Sequence, residues 1–490
     1  MVREGSIHSP LGEELAVDVD AIDRDQLHRT AKIALDLGLV PDVDSAQPYL
    51  EKLVLQVQVG PCLDEDLAAQ AALLTAINAG RRAMLGGVHV LLEDDPELSL
   101  PWAQGLSLSA AIKAHGGAIV KNHRPEHPTL VIGDPQCQSC AGLQLAAICS
   151  GWSGGVTEAR QGSQGHAMPL AGVVAGALAV SEIFQHLLGS PTAACRDVGL
   201  SLWRPDLPWQ CPEAAGPILQ YLPTGLWLLG LGHLGQAIAW SLGCLRYSQP
   251  SELEVYLVDF DKVVEANHAT GLLTDASEIG SLKTRVVASR LEQLGHRTRL
   301  MERPFNNDLV LSGREPSLAL AGFDRIEPRR ALGNKFGRVV DAGLGAGPTD
   351  YLDIVIHAFP SQLTPEEAFP LRPADEPVLS PVYEAEIKRR TDQGLEPGTA
   401  RCGVLELAGA TPAAAFVGAI AGAFSVSDLL RFLHGGQQYE TLNVDLRSPN
   451  DAVAPPASRP QQPFNPGFTS ARLPSATSST RDATLRAADL

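Results

Sequence analysis

The sequence predicts an α/β chain built twice over, two domains with mainly parallel sheets following one another along 490 residues. Three observations carry that reading. The length exceeds what one hydrophobic core serves, at roughly 150 residues per domain. A strand, helix, strand order appears once in each half, as expected of βαβ units. The chain also matches itself: residues 172–189 read GVVAGALAVSEIFQHLLG and residues 418–435 read GAIAGAFSVSDLLRFLHG, with eight identities in 18 positions and an offset of 246. The shared V-S-[ED] step and the shared terminal Gly favour duplication over convergence of two small-residue helices.

Taken in order, residues 1–50 form an N-terminal extension with one amphipathic helical stretch at 23–37. The first domain, 51–218, opens with LVLQVQVGP (53–61), continues through a helical stretch at 68–85 and returns as VHVLLEDD (88–95). Its first turn is Gly60-Pro61-Cys62. Pro lacks an N–H, and without a glycine pair the backbone cannot approach a phosphate closely, so this half is expected to be a degenerate copy that binds no nucleotide. A Pro-containing link at 203–217 leads into the second domain, 219–446, where GLWLLGLG (225–232), a helical stretch at 236–245 and EVYLVDFD (254–261) repeat the order. The final segment, 447–490, is rich in Pro, Ser, Ala and Thr and is expected to be a mobile tail.

Composition removes several function classes. Hydrophobic residues make up 44% and charged residues 19%, the balance of a folded chain. With 38 Lys+Arg against 56 Asp+Glu the formal charge is -18, and no dense basic cluster interrupts it, which excludes binding to a nucleic-acid backbone. The most membrane-like stretch, 168–180, is 13 residues long where a span needs about 20, so it reads as a buried helix and no membrane partner is expected. Eight cysteines are too few for a disulfide scaffold, and the N-terminus lacks the charged head and apolar run of a secretory signal. The expected compartment is the cytoplasm.

The chemistry begins at Gly230-Leu231-Gly232-His233-Leu234-Gly235, directly after an apolar run and before a helix. Such a Rossmann-like turn presents backbone N–H groups and a helix N-terminus to phosphate. Asp259 ends the next strand 24 residues after Gly235, where a carboxylate accepts hydrogen bonds from ribose hydroxyls. These features serve NAD and ATP equally.

The continuation separates the two. Asp259-x-Asp261-x-Val263-x-x-x-Asn267, followed by Ile279-Gly280-x-x-Lys283 entering a helix, resembles the ubiquitin-activating and sulfur-carrier-activating (ThiF-type) adenylyltransferases. The likeness continues at Asp324, after an apolar strand, with Arg329 five residues on, and at Val339–Gly345, a buried strand leading into a Gly-rich turn that would bring backbone close to the acyl group. The resemblance implies tandem adenylation domains, the first inactive and the second active, as in activating enzymes of bacterial ubiquitin-like conjugation systems. It implies ATP and Mg²⁺ as cofactors, a ubiquitin-like protein as substrate and a conjugating enzyme as a possible further partner. By the same likeness Gly230, Gly232, Gly235, Asp259 and Asp261 hold the nucleotide, Asn267 and Lys283 contact the triphosphate, Lys283 and Arg329 act in catalysis, and Asp324 binds the metal. A bare Asp324 about 4 Å from a phosphate charge would be repelled by roughly 4 kcal/mol at an effective dielectric of 20, so it belongs there with Mg²⁺ between them.

Thr270 stands where the family commonly has an Arg, and Arg24 or Arg29 from the helical extension is a candidate replacement. The two CxxC pairs that hold zinc in many sulfur-carrier activators are absent from the second half, and only Cys137-Gln138-Ser139-Cys140 exists, in the first. Cys402, flanked by Arg401 and Gly403 just before the duplicated helix, is the candidate acceptor of the activated acyl group as a thioester: Arg401 favours the thiolate and Gly403 allows a sharp turn. Cys149 and Cys244 lie in apolar runs and read as core. Competing readings are adenylation of a peptide or non-protein carboxylate without a thioester, an NAD-dependent oxidoreductase, which leaves Lys283 and Asp324 unexplained, and a binding module in which both copies are inactive.

Overall fold

The computed structural model describes residues 28–61, 63–133, 142–158, 167–333, 335–345, 347, 350–371, 379–458 and 464–472. Its first half holds β1 (Leu55–Val59), β2 (Val88–Leu92), β3 (Ala118–Ile119), β4 (Thr129–Ile132), β5 (Gln144–Ser150), β6 (Ser153–Thr157) and β7 (Val198–Ser201). After a short β8 (Tyr221–Pro223), the second half repeats the set as β9 (Gly225–Leu229), β10 (Glu254–Val258), β11 (Arg297–Met301), β12 (Leu318–Ala321), β13 (Arg338–Leu344), β14 (Asp353–Phe359) and β15 (Thr441–Asp445).

The two seven-stranded sheets have the same strand order, β3-β2-β1-β4-β5-β6-β7 and β11-β10-β9-β12-β13-β14-β15. In each, the first four pairings of that order are parallel and the last two antiparallel. The α/β fold with two mainly parallel Rossmann-like domains is therefore present, and the duplication read from two helices extends to the whole topology.

Strands such as LQVQV of β1 and GLWLL of β9 are buried at every position, the mark of a parallel sheet covered on both faces. On one face of each sheet the covering comes from four helices. Leu67–Ala83 packs on the first duplicated helix, Pro169–Leu187, and His233–Gly243 on the second, Ala415–Leu433, and the two pairs pack on each other. Small residues allow this approach at equivalent places: an added Cβ on Gly176 would stand 2.2 Å from Ala72 O, and one on Gly422 would stand 2.6 Å from Ala237 O. Both duplicated helices are long and apolar enough to cross a membrane, and both are buried here, as the reading of 168–180 expected.

Two expectations need correction. Within the stretch 23–37 the described helix is only Ala31–Asp36, followed by a second, Ala46–Leu50, and residues 1–27 lie outside the described part. The tail is not mobile throughout: β16 (Phe468–Ser470) pairs antiparallel with β8, and Phe464 stacks on Phe432, because apolar side chains at the end of the tail find partners on the second domain.

Candidate functional site

Register lines up Val258, Leu229 and Ala321, so the C-terminal ends of β10, β9 and β12 form one edge where the strand order reverses. Ligands of open α/β sheets bind at such an edge. Three residues, 230–232, join β9 to the helix His233–Gly243, whose N-cap is Gly232 with no side-chain cap. Gly230 has φ +80°, and an added Cβ on Gly235 would meet Gly230 O at 1.9 Å, so the fold itself demands glycine at both. Gly232 is different: nothing lies within 4 Å of an added Cβ. Space is thus open beside the residue that starts the helix, where a phosphate would meet a helix N-terminus.

Asp259, 9% exposed, shapes this turn. Its Oδ2 accepts from Leu231 N at 2.6 Å and its Oδ1 from Asp261 N at 2.8 Å, and each oxygen keeps a further lone pair for a ribose hydroxyl. Lys283 starts the helix Lys283–Gln293, an unfavourable end of the helix dipole for a cation. It is held by Asp261, with Nζ 3.0 Å from Oδ2 and its backbone N donating to Asp261 O. To reach a triphosphate Lys283 has to exchange that carboxylate for phosphate oxygen. Asn267 accepts from Val264 N at 3.0 Å, which fixes its carboxamide in a turn and leaves its NH₂ to donate. Asp324 is exposed in the loop just after β12. Among the described residues no three His, Cys, Asp or Glu side chains gather to hold a metal, so a cation at Asp324 fits only if phosphate oxygens complete its coordination.

Arg329 lies on the short helix after β12, Ile326–Arg330, and reaches β13 at Asp341, which is in register with Ala321 of this edge. Its Nε and Nη2 both donate to Asp341 Oδ2, at 2.9 and 2.5 Å, and its guanidinium lies 4.2 Å from the centre of the Phe369 ring. Asp341 is fully buried opposite His357 on β14. Burial raises its carboxyl to about 6 against the pull of Arg329, and burial, then Arg329, lowers His357 to about 4. The expected catalytic cation, like Lys283, is thus paired with a carboxylate.

Cys402 also sits differently from the expectation. It lies inside the helix Pro397–Gly409 rather than in a loop, so Gly403 makes no turn, and both Cys402 and Arg401 are exposed. Cys149 and Cys244 are buried as expected, and burial pushes both thiols up. Arg29 donates to Thr411 O at 3.4 Å, whereas Arg24, Cys137 and Cys140 lie outside the described residues.

Sequence reasoning missed Arg81 and Arg82, at the end of the first-half helix Leu67–Ala83. Both reach the segment after Asn267: Arg81 pairs with Asp275 at 3.0 Å, and Arg82 donates to His268 O and, at 3.0 Å, to Thr274 O. The available signal was a pair of adjacent cations closing an otherwise Ala- and Leu-rich helix.

Comparison with known proteins adds a family to this geometry. Residues 54–202 match the BilD N-terminal domain and residues 222–436 the BilD C-terminal domain. The bacterial E1-like protein BilD of Collimonas sp. (strain OK412) is 36% identical over 427 residues, covering 86% of this chain and 91% of that one. The chain belongs to the BilD family of bacterial E1-like proteins. In this BilD-family chain the two matched segments hold, respectively, β1–β7 and β9–β14 with the second duplicated helix. Among solved structures, E. coli MccB is 13% identical, covers 50% of this chain and 65% of its own, just under two thirds, with a TM-score of 0.33. E. coli TcdA, a tRNA N6-threonylcarbamoyladenosine dehydratase solved with AMP, is 18% identical and covers 43% of this chain and 86% of its own, with a TM-score of 0.28.

Proposed function

We propose that the second half activates the C-terminal carboxylate of a ubiquitin-like protein with ATP, and that the first half is an inactive copy. The observation that carries this reading is the N-terminus of His233–Gly243, which has no side-chain cap and has open space beside Gly232, while Asp259 holds the turn. Membership of a family of E1-like proteins supports it. A substrate carboxylate oxygen attacks the α-phosphate, the bond to the bridging oxygen of pyrophosphate breaks, and acyl-adenylate and pyrophosphate result. No general base is required, since a carboxylate is already ionised near pH 7. The chain supplies position and charge: Gly230–Gly235 the phosphate cradle, Asp259 the ribose acceptor, Asn267 a donor, Lys283 a cation exchanged from Asp261. Asp324 would hold Mg²⁺ together with phosphate oxygens, and that ion would neutralise phosphate charge.

The exposed thiol of Cys402 is the proposed acceptor. Its thiolate attacks the acyl carbon and AMP leaves, giving a thioester. The test is ATP–pyrophosphate exchange with candidate protein substrates, alongside a non-reducing gel. Wild type is expected to exchange and to form a reducible adduct, and Cys402→Ala to exchange equally and form none. Absence of exchange with every carboxylate tried rules out adenylation. An adduct that persists in the variant moves the acceptor elsewhere, and exchange without any adduct in wild type ends the reaction at the adenylate.

A further inference from the structure

The segment from His268 to Thr274 directly follows Asn267 and contains Thr270, 5% exposed. This segment is gripped from the other half of the molecule. Asn78 Nδ2 donates to Leu272 O at 2.9 Å, Arg82 Nη1 to His268 O, and Arg82 Nη2 to Thr274 O at 3.0 Å, while Arg82 Nε donates to Asn78 Oδ1 at 3.2 Å. Arg82 is only 2% exposed, and among the described residues no carboxylate pairs with it: Asp275 is held by Arg81 and Arg290, and Glu278 by Arg290. A buried guanidinium that ends on neutral carbonyls is costly to bury. Burial, and next the Arg81 charge, accordingly lower its pKa to about 9.

Packing alone does not call for such a group. The reciprocal contact, where the second half's helix His233–Gly243 meets the corresponding crossover of the first half, is made by an aromatic stack. Trp102 lies 5.0 Å from Trp240, centre to centre, and donates to Trp240 O at 2.9 Å, and Trp240 donates to Thr75 Oγ1. Among the described residues a cation makes this contact only on the side where the crossover borders the nucleotide edge. We propose that Arg82 is a positioning residue: it fixes the backbone after Asn267, so that ATP binding by the second half depends on the first. The inference rests on the nucleotide reading above.

The test uses the full chain. Arg82→Ala deletes the clamp, and Arg82→Lys keeps the charge but replaces the planar fork, whose Nη1 and Nη2 each hold one carbonyl, by a single nitrogen, so it reads positioning even where the alanine variant does not fold. Melting without nucleotide, the melting shift with ATP and Mg²⁺, and kcat and KM for ATP in pyrophosphate exchange are measured. Arg82→Lys is expected to melt close to wild type without nucleotide, to lose most of the ATP shift, and to raise KM about tenfold with kcat within about twofold, as for loss of one charged hydrogen bond. A lysine variant that melts lower yet keeps the full ATP shift and KM overturns the inference and makes Arg82 a structural brace. A wild type without any ATP shift takes the nucleotide reading down with it.

Discussion

The turn after the first strand was built twice, and the two versions end in opposite states. In the first half seven residues, 60–66, join β1 to the helix Leu67–Ala83, and Asp66 closes the helix start by accepting from Ala69 N at 2.9 Å. In the second half three residues, 230–232, do the same work and no side chain caps the helix. A helix N-terminus that carries its own carboxylate has one donor satisfied and its dipole compensated, so it offers less to a phosphate. What the halves kept is equally informative. Gln70 and Gln236, each the fourth residue of its helix, are both buried and tie the preceding turn to the next crossover. Gln70 donates to Leu63 O and accepts from Leu100 N, while Gln236 donates to Leu231 O and accepts from Leu273 N. Divergence fell on the ligand edge, and the internal scaffold stayed.

The largest expected effect tests the open turn directly. Gly235→Ala puts a methyl 1.9 Å from Gly230 O, so it is expected to cost about 3 kcal/mol or more and to abolish ATP binding. Gly232→Ala meets nothing within 4 Å and should leave urea unfolding unchanged while weakening ATP by at least about tenfold. A Gly232→Ala chain that binds ATP as wild type does would mean that no phosphate enters there.

A second contrast lies one strand over. The cross-strand pair Ala147 and Val156 of the first half corresponds to Asp341 and His357 of the second. With a native pKa near 6 against 3.8 when unfolded, Asp341 makes the native state bind the extra proton between those values. Its contribution is present below about pH 4 and is lost as pH rises to 6, by up to about 3 kcal/mol. His357, lowered to about 4, acts in the opposite sense across much of the same range. Asp341→Asn is therefore expected to gain on wild type as pH rises from 4 to 7, read as the difference in urea midpoints. A difference that shrinks with pH would show that the Arg329 pair outweighs burial.

The smallest effect sharpens the closed turn. Asp66→Ala removes a cap and should cost about 1 kcal/mol. It should not create a second site, because Pro61 and the four additional turn residues remain. Calorimetry should give one ATP per chain before and after the substitution. A stoichiometry of two in either protein would break the distinction between the halves.

By itself the sequence determined what is local. The period of apolar residues, the glycine turn, Asp259 at a strand end and the repeated helix each sit within a short window, and each was readable because backbone geometry imposes it. The tertiary structure alone decided which polar groups meet. Arg82 contacts backbone 186 and 192 residues away, Arg329 meets the buried Asp341 of β13, and Cys402 is exposed on a helix. β16 returns to β8, although its composition read as tail. Those outcomes follow from the packing of two helix pairs in one core, which sets distances that no local window contains, so a buried cation and a solvated one look alike until the helices are in place.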